Sequence, residues 1–180
     1  MHLAHDTEMA LQSAVELVNT GEDPETLLTI EDVDAWYASY RYTGRRDRDQ
    51  AELDELQGVR PVLRALLLAG RDEAAEMVNR MLAETGAIPQ LVRHDDLDWH
   101  VHAVDAGQPL VRRVIVETAM AVADLIRGDE MTRLTTCADD TCCGIVLDLT
   151  KNRSRRFCST TCANRVAVAA YRLRRKHSPR

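Results

Sequence analysis

All five cysteines of the chain lie between residues 137 and 162, and four of them form two closely spaced pairs. Four residues separate Cys137 from Cys142, three separate Cys158 from Cys162, and fifteen separate the two pairs. This spacing is typical of a zinc site with four thiolate ligands, because each pair fits on one tight turn or helix start and its sulfurs converge. The sequence therefore predicts a structural Zn²⁺ site whose ligands are Cys137, Cys142, Cys158 and Cys162.

Cys143 leaves two alternatives open. It directly follows Cys142, so either cysteine can provide the second ligand, and Cys142 is the preferred one. A redox-active set of thiols is the other chemistry that such a cluster can support, with Cys143 as its best candidate. An odd number of cysteines clustered near one end argues against an extracellular disulfide framework.

The residues around the cysteines predict a small zinc-binding module. The segment IVLDLTKNRSRRF predicts two short strands joined by a turn at residues 151–154, and ANRVAVAAYRLRRK after Cys162 predicts a helix. A cysteine turn, a hairpin and a second cysteine pair at a helix N-terminus form the layout of a treble-clef zinc finger. The positive end of the helix dipole also favours thiolates at that position.

Charge is distributed unevenly along the chain. The 180 residues carry a formal net charge of −6, but residues 151–180 contain ten Lys and Arg residues and no Asp or Glu. The first 150 residues therefore carry 13 basic and 29 acidic side chains, with a sum of −16. A basic segment on an acidic body indicates an anionic partner for that segment, and nucleic acid, DNA in particular, is the first candidate.

The predicted C-terminal helix directs basic side chains towards one face. Arg165, Arg172 and Lys176 lie near that face at helical spacing. The opposing stripe, suited to packing on the hairpin, consists of Val166, Ala169, Ala170 and Leu173. Some arginines are expected to offset the negative charge of the thiolates and others to contact phosphate, and the alternative is a solvated basic face without a partner. The candidate nucleic-acid contacts are Arg153, Arg155, Arg156, Arg165, Arg172, Arg174, Arg175 and Lys176.

The first 130 residues predict a mainly helical domain with one small β-hairpin, so the fold class is mainly α (α+β). Aromatic residues make up only 4% of the chain, so the core is expected to be aliphatic. Thr29 and Asp32 form a capping-box pattern, and Asp72 is placed to cap a later helix. Gly58 and Pro61 are expected to break or kink the helix predicted at residues 49–70. Helices are predicted at residues 8–19, 30–40, 49–70, 72–85 and 109–127, and the hairpin at 88–104.

The sequence argues against a membrane protein, a secreted protein and an enzyme. No run of about 18 apolar residues is present, and the first residues lack the basic and apolar regions of a secretory signal, so a cytoplasmic protein is predicted. The chain has no phosphate-binding glycine loop and no Gly-x-Ser-x-Gly motif. Scattered carboxylates without recognisable catalytic spacing are found at Glu16, Asp32, Asp34 and Glu117. We therefore expect no enzyme activity and no catalytic residues.

The cysteine segment resembles the CGNR zinc-finger family. The resemblance rests on the C-x4-C pair, on LDLTKNRSRR and on CSTTCANR, and it covers residues 137–176. Ala163 stands where the family has Gly. The body before it is similar to the ABATE-type N-terminal domain in its layout and in the fragment LVNT at residues 17–20. Carried over by position, the resemblance gives the same four zinc ligands and makes Asn164 and Arg165 the last two residues of the motif.

The resemblance implies a bacterial, stress-related transcription regulator that binds nucleic acid through its finger. It also implies a helical ABATE-like domain at residues 1–130 and a CGNR-like zinc finger with a basic helix at 131–177. The helix predicted at 109–127 is apolar on more than one side, which suits a central position or cover by a second subunit. The helical domain is accordingly expected to sense a small-molecule effector or to form a homodimer. The alternative is a ligand-sensing or protein-interaction module in which the finger is only structural.

Overall fold

The computed structural model describes residues 3–93 and 99–177, with the backbone alone described at residues 100, 176 and 177. Within these residues the fold is mainly helical with two small antiparallel sheets, as predicted. The helices are α1 (His5–Asn19), α2 (Ile30–Ser39), α3 (Gln50–Leu68), α4 (Arg71–Glu84), α5 (Leu110–Arg127) and α6 (Thr160–His177). The sheets pair β1 (Gln90–Val92) with β2 (His100–His102), and β3 (Leu134–Thr136) with β4 (Ile145–Leu147).

The two predicted helix caps have different outcomes. At the start of α2, the Thr29 hydroxyl accepts from the Asp32 N–H at 3.2 Å and the Asp32 carboxylate accepts from the Thr29 N–H at 2.9 Å, so the capping box is confirmed. The prediction that Asp72 caps α4 is wrong, because the helix begins at Arg71 after Gly70. Asp72 lies inside the first turn, where its charge still favours the helix through the dipole.

Helix α3 passes through Gly58 and Pro61 as one element, so a break there is wrong, whereas a kink stays a prediction. A proline removes the hydrogen bond to the carbonyl four residues earlier, which here belongs to Gln57. The side chain of Arg60 compensates for this loss, since its Nε donates to the Gln57 carbonyl at 3.2 Å. Proline is therefore tolerated inside this helix.

An aliphatic core forms where α5 packs against α1, α3 and α4. Helix α5 thus takes the central position that its apolar sides predict. Fully buried members of the core include Leu11, Leu17, Leu56, Leu63, Val114 and Leu125. None of the helices in the described ranges has both the length and the apolar character needed to cross a membrane.

The predicted hairpin at residues 88–104 is confirmed by the pairing of β1 with β2, in which Leu91 lies opposite Val101. Its predicted turn at residues 95–98 lies outside the described residues. Leu91, Trp99 and Val101 are all exposed, so this hairpin presents apolar side chains at the surface of the body.

The cysteine-bearing module packs directly on the helical body. Leu134, Ile145 and Leu147 of its strands belong to the same buried cluster as the helices. Asn19, the last residue of α1, accepts from the Ile145 N–H at 2.7 Å and donates to the Ile145 carbonyl at 2.9 Å. One side chain of the body therefore pairs both backbone groups of a residue in β4.

Of the two strands predicted in residues 145–157, the first is confirmed as β4, and the second is wrong because β4 pairs with β3 instead. β3 and β4 flank the first cysteine pair, and residues 151–157 contain no strand. The physical reason is the Asp148 carboxylate, which accepts from the Thr150 N–H (2.8 Å), the Thr150 hydroxyl (2.6 Å) and the Arg155 N–H (2.7 Å). A side chain thus supplies the acceptors that a neighbouring strand would otherwise supply.

Candidate metal centre and basic surface

The first cysteine pair lies on the turn between β3 and β4. The Cys137 N–H donates to the Gly144 carbonyl at 2.8 Å, and the Cys142 N–H donates to the Asp139 carbonyl at 2.9 Å. The buried Asp139 carboxylate accepts from the N–H of Thr141 at 3.1 Å and from its hydroxyl at 2.8 Å. These bonds close the turn and hold its two cysteines near each other.

The second cysteine pair lies at the start of α6. Cys158 precedes the helix, and Cys162 lies in its first turn. The Ser159 hydroxyl accepts from the Cys162 N–H at 3.2 Å, as the side chain of a helix N-cap does. The N-terminus of a helix favours negative charge, so this position suits thiolates.

The four cysteines predicted as ligands converge on one point, with all Sγ atoms within 4.8 Å of one another, whereas Cys143 is exposed outside the cluster. Two of the sulfur–sulfur distances are 3.6 Å, from Cys142 to Cys158, and 3.7 Å, from Cys158 to Cys162. A tetrahedral Zn²⁺ with bonds of about 2.3 Å places its sulfurs about 3.8 Å apart. The donor set therefore fits a four-coordinate, thiophilic metal ion such as Zn²⁺.

Burial opposes ionisation of three cysteines in this cluster. Burial raises the pKa of the Cys158 thiol well above its usual value, and the other three cysteines raise it further. Burial likewise raises the pKa of Cys142. Burial also opposes ionisation of Cys137, but hydrogen bonds from the backbone of Cys158 and Asp139 outweigh it and lower the pKa of Cys137. A metal ion bound to these sulfurs would favour the thiolate form.

Gly144, which sequence reasoning overlooked, lets the chain pass close to the sulfurs. A Cβ atom at this position would lie 3.0 Å from the Sγ of Cys158 and 3.3 Å from that of Cys142. The Gly144 N–H donates to the Cys142 sulfur at 3.3 Å. A glycine two residues after a ligand cysteine is the signal in the sequence that could have identified it.

Arg165 connects the two cysteine segments. Its Nη1 donates to the Thr141 hydroxyl at 2.6 Å and lies 3.1 Å from Asp139 Oδ2. Hydrogen bonds from the backbone and hydroxyl of Thr141, and then the charge of Arg165, lower the pKa of the Asp139 carboxyl. Arg165 therefore braces the turn that carries Cys137 and Cys142. Asp139, the buried acceptor in this arrangement, was not among the predicted site residues.

Arg153 and Arg155 also make contacts inside the module. Arg153 has a left-handed backbone (φ 48°), and its Nη2 lies 2.5 Å from Oε2 of the buried Glu130. Arg155 donates from Nη2 to the Cys158 carbonyl at 3.2 Å. Of the candidate nucleic-acid contacts, Arg153, Arg155 and Arg165 are therefore engaged by the protein itself.

The remaining described candidates form an exposed arginine group consisting of Arg156, Arg172, Arg174 and Arg175. Two of them lie over aromatic rings, Arg156 at 5.9 Å from the Phe157 centroid and Arg175 at 6.0 Å from that of Tyr171. None of the four forms an ion pair with a carboxylate of the described residues. Lys176 belongs to α6, but its side chain lies outside the described residues.

The second half of α6 projects from the module instead of packing on the hairpin. Ala169 is exposed and Leu173 is 58% exposed, although Val166 and Ala170 are partly buried, so the predicted packing stripe is wrong. The strands β3 and β4 have three residues each, whereas α6 has 18. A helix of that size is about 27 Å long and extends beyond so small a hairpin.

Two family models match the chain in the order that the cysteine segment and the body suggest. The ABATE model, described as “Putative stress-induced transcription regulator”, matches residues 11–129. The CGNR zinc-finger model matches residues 133–175. Among curated proteins, none matches the chain.

Proposed function

The chain belongs to the ABATE family and carries a CGNR zinc finger, and from this premise we propose that it is a zinc-containing transcription regulator that binds DNA through its C-terminal module. The observation that carries this proposal is the exposed arginine group on and beside α6. These side chains lie in a segment without acidic residues, and their charge is not neutralised by a described carboxylate. No enzyme activity forms part of the proposal.

Zinc is the proposed metal, and its role is structural. With Cys137, Cys142, Cys158 and Cys162 as ligands, all four positions of a tetrahedral ion are filled by protein, which leaves none for a substrate. The ion would tie the turn between β3 and β4 to the start of α6. Among the described residues, the cluster around the cysteines contains only Val146 and the partly buried Phe157 besides them, so the ion would supply a link that apolar packing at this point does not.

Phosphate neutralisation is the proposed mechanism of DNA binding. A helix about 10–12 Å wide fits the major groove, which is about 12 Å wide. Each arginine that contacts a phosphate releases counterions, so the logarithm of the affinity falls by about 0.9 per contact for each tenfold rise in salt. Four contacts, one for each member of the exposed arginine group, give an expected slope of about −3.6.

A salt titration of the zinc-loaded full chain on a labelled mixed-sequence DNA duplex tests this proposal by fluorescence anisotropy. The variant Arg172→Ala/Arg174→Ala/Arg175→Ala is expected to reduce the slope to about −0.9, because one of four contacts remains. Arg80→Ala removes an exposed arginine from α4 and serves as the control, with no expected change. Binding that ignores salt, or that persists undiminished in the triple variant, contradicts the proposal. A parallel titration with RNA of the same sequence tests the choice of DNA.

The contacts of Arg153, Arg155 and Arg165 favour one alternative. Because these arginines bind groups inside the module, the finger can serve as a structural cap on a ligand-sensing or protein-interaction domain. This alternative requires zinc in the purified protein but no affinity for nucleic acid. Measuring zinc content and DNA binding on the same sample therefore separates the two functions.

A further inference from the structure

The helical body contains a cavity of about 580 Å³ that the metal centre does not use. It lies between α1, α5, the hairpin β1–β2 and the segment that follows α2. This volume is in the range of small-molecule sites, which are mostly apolar with a few polar groups. The apolar part of its wall includes Met9, Ala10, Leu91, Trp99, Val101 and Met120.

Glu117 is the acidic group at the centre of the α5 wall. Its side chain is partly buried and interacts with the hydroxyl of Tyr42, which also lies 3.0 Å from the Ser13 hydroxyl. Burial raises the pKa of Glu117 to about 7, although the charge of Arg113 and the Tyr42 hydrogen bond act in the opposite direction. The wall of the cavity thus carries a carboxylate in addition to its apolar side chains.

Arg113 is the buried cation of this cavity, but its guanidinium donates hydrogen bonds to backbone carbonyls. It donates to the carbonyls of Gln108 (3.2 Å), Thr43 and Arg45 (2.5 Å). It forms no ion pair with Glu117 among the described contacts. An anionic ligand would therefore find the donors of Arg113 engaged, and the other two arginines of the lining, Arg41 and Arg127, are exposed. The partly buried Glu117 carboxylate can instead accept from an ammonium group.

The mouth of the cavity adds a second carboxylate on the same helix. Asp124 lies seven residues after Glu117 in α5, and therefore on the same face. Its Oδ2 accepts from the Thr7 hydroxyl at 2.8 Å, and its Oδ1 lies 3.3 Å from Nη1 of the exposed Arg127. Trp99 also lines the cavity with a largely exposed ring, and the Arg93 guanidinium lies 5.4 Å from the centroid of that ring.

We propose that this cavity binds a small organic amine, whose apolar part lies against the hairpin and α1 and whose ammonium group pairs with Glu117. This inference goes beyond DNA binding and names the class of effector. The test of amine binding uses no DNA, so a negative result would not contradict the proposed function. A failure of DNA binding would likewise not contradict amine binding.

Fluorescence titration of the zinc-loaded full chain with three dansyl compounds tests the proposal. Dansylcadaverine carries an ammonium group, dansylamide is neutral and dansylglycine is an anion. At about pH 8 the ammonium group is protonated, and most of the Glu117 carboxyl is ionised because its pKa is about 7. Dansylcadaverine is expected to bind about tenfold more tightly than dansylamide, as a charge-assisted hydrogen bond provides, and dansylglycine most weakly.

Two variants locate the binding. Glu117→Gln keeps the size of the side chain and removes its charge, so it is expected to weaken dansylcadaverine about tenfold while leaving dansylamide unchanged. Glu73→Gln is the control, because Glu73 is an exposed carboxylate of α4 that does not line this cavity, and the variant is expected to bind all three compounds as the wild type does. Ala10→Phe narrows the apolar wall and is expected to weaken all three.

Three outcomes would overturn the proposal. The first is equal affinity of the wild type for the ammonium and neutral compounds. The second is unchanged binding of dansylcadaverine by Glu117→Gln, with the helical circular dichroism signal verifying that the variant is folded. The third is the absence of saturable binding of any of the three compounds.

Discussion

Replacement of Glu117 by Gln is expected to change the way in which stability depends on pH. Burial raises the pKa of this carboxyl from 4.5 to about 7 in the folded protein, against the effects of Arg113 and Tyr42. The folded state therefore holds the proton more tightly than the unfolded state does. The stabilisation from this proton is fully present below about pH 4.5 and is lost as the pH rises through 7.

The two pKa values set the magnitude. The difference between 4.5 and about 7 corresponds to about 3 kcal/mol of unfolding free energy over the full titration. Between about pH 5.5 and pH 8.5 the wild type should lose about 2 kcal/mol relative to Glu117→Gln, which has no proton to release. Because Glu117 lies at a cavity wall and is only partly buried, water reduces this effect, so the figure is an upper value.

Urea unfolding of the zinc-loaded chains, followed by circular dichroism at several pH values, measures this difference. The thiolates of the metal centre also titrate, but wild type and variant share that centre and its contribution cancels in the comparison. Glu117→Gln should gain stability relative to the wild type as the pH rises. A constant difference between the two proteins over this range would refute the reasoning.

The remaining predictions concern the metal centre, its attachment to the body and one glycine of α3. Cys158→Ser should lose the zinc that elemental analysis finds in the wild type, whereas Cys143→Ser, which changes an exposed cysteine outside the cluster, should keep it. Gly144→Ala should release zinc to a chelator faster than the wild type, because its Cβ would lie 3.0 Å from a ligand sulfur. Gly58→Ala, where the new Cβ meets nothing within 4 Å, should instead raise stability by about 0.5–1 kcal/mol in thermal unfolding. Asn19→Ala removes two hydrogen bonds to β4 and should lower the unfolding free energy by about 1–3 kcal/mol, and an unchanged value would show that this contact does not hold the module.

The sequence predicts features that depend on neighbours along the chain. The cysteine pairs, the capping box of Thr29 and Asp32 and the hairpin at 88–104 are of this kind, because local spacing determines them. Where a side chain replaces a backbone partner, the prediction is wrong. Arg60 satisfies the carbonyl that Pro61 leaves free, and Asp148 replaces a strand. The division at residues 130 and 131 stays a prediction.

Contacts between distant segments account for most of what the sequence does not predict. Glu117 is one of several scattered carboxylates in the sequence, and only the fold brings it to Tyr42, 75 residues earlier. Contacts between distant segments also decide which arginines of the module are bonded within it and which form the exposed arginine group. Arg153 reaches Glu130 because a left-handed turn directs it there, and no periodicity in the sequence indicates that contact.

Of the three acidic residues that follow residue 130, Asp140 is exposed and the other two are withdrawn from the surface. Asp139 and Asp148 are both buried, at 3% and 5% exposure, and their oxygens accept hydrogen bonds from local backbone and hydroxyl groups. The charge of Arg165 is offset by Asp139, with which it forms an ion pair. Arg156, Arg172, Arg174 and Arg175, which have no carboxylate partner in the described part of the chain, lie on and beside α6. If Asp139 is changed to Asn, Arg165 loses its ion pair and keeps only its hydrogen bond to Thr141, so the turn is held less firmly and zinc should pass to a chelator faster than from the wild type.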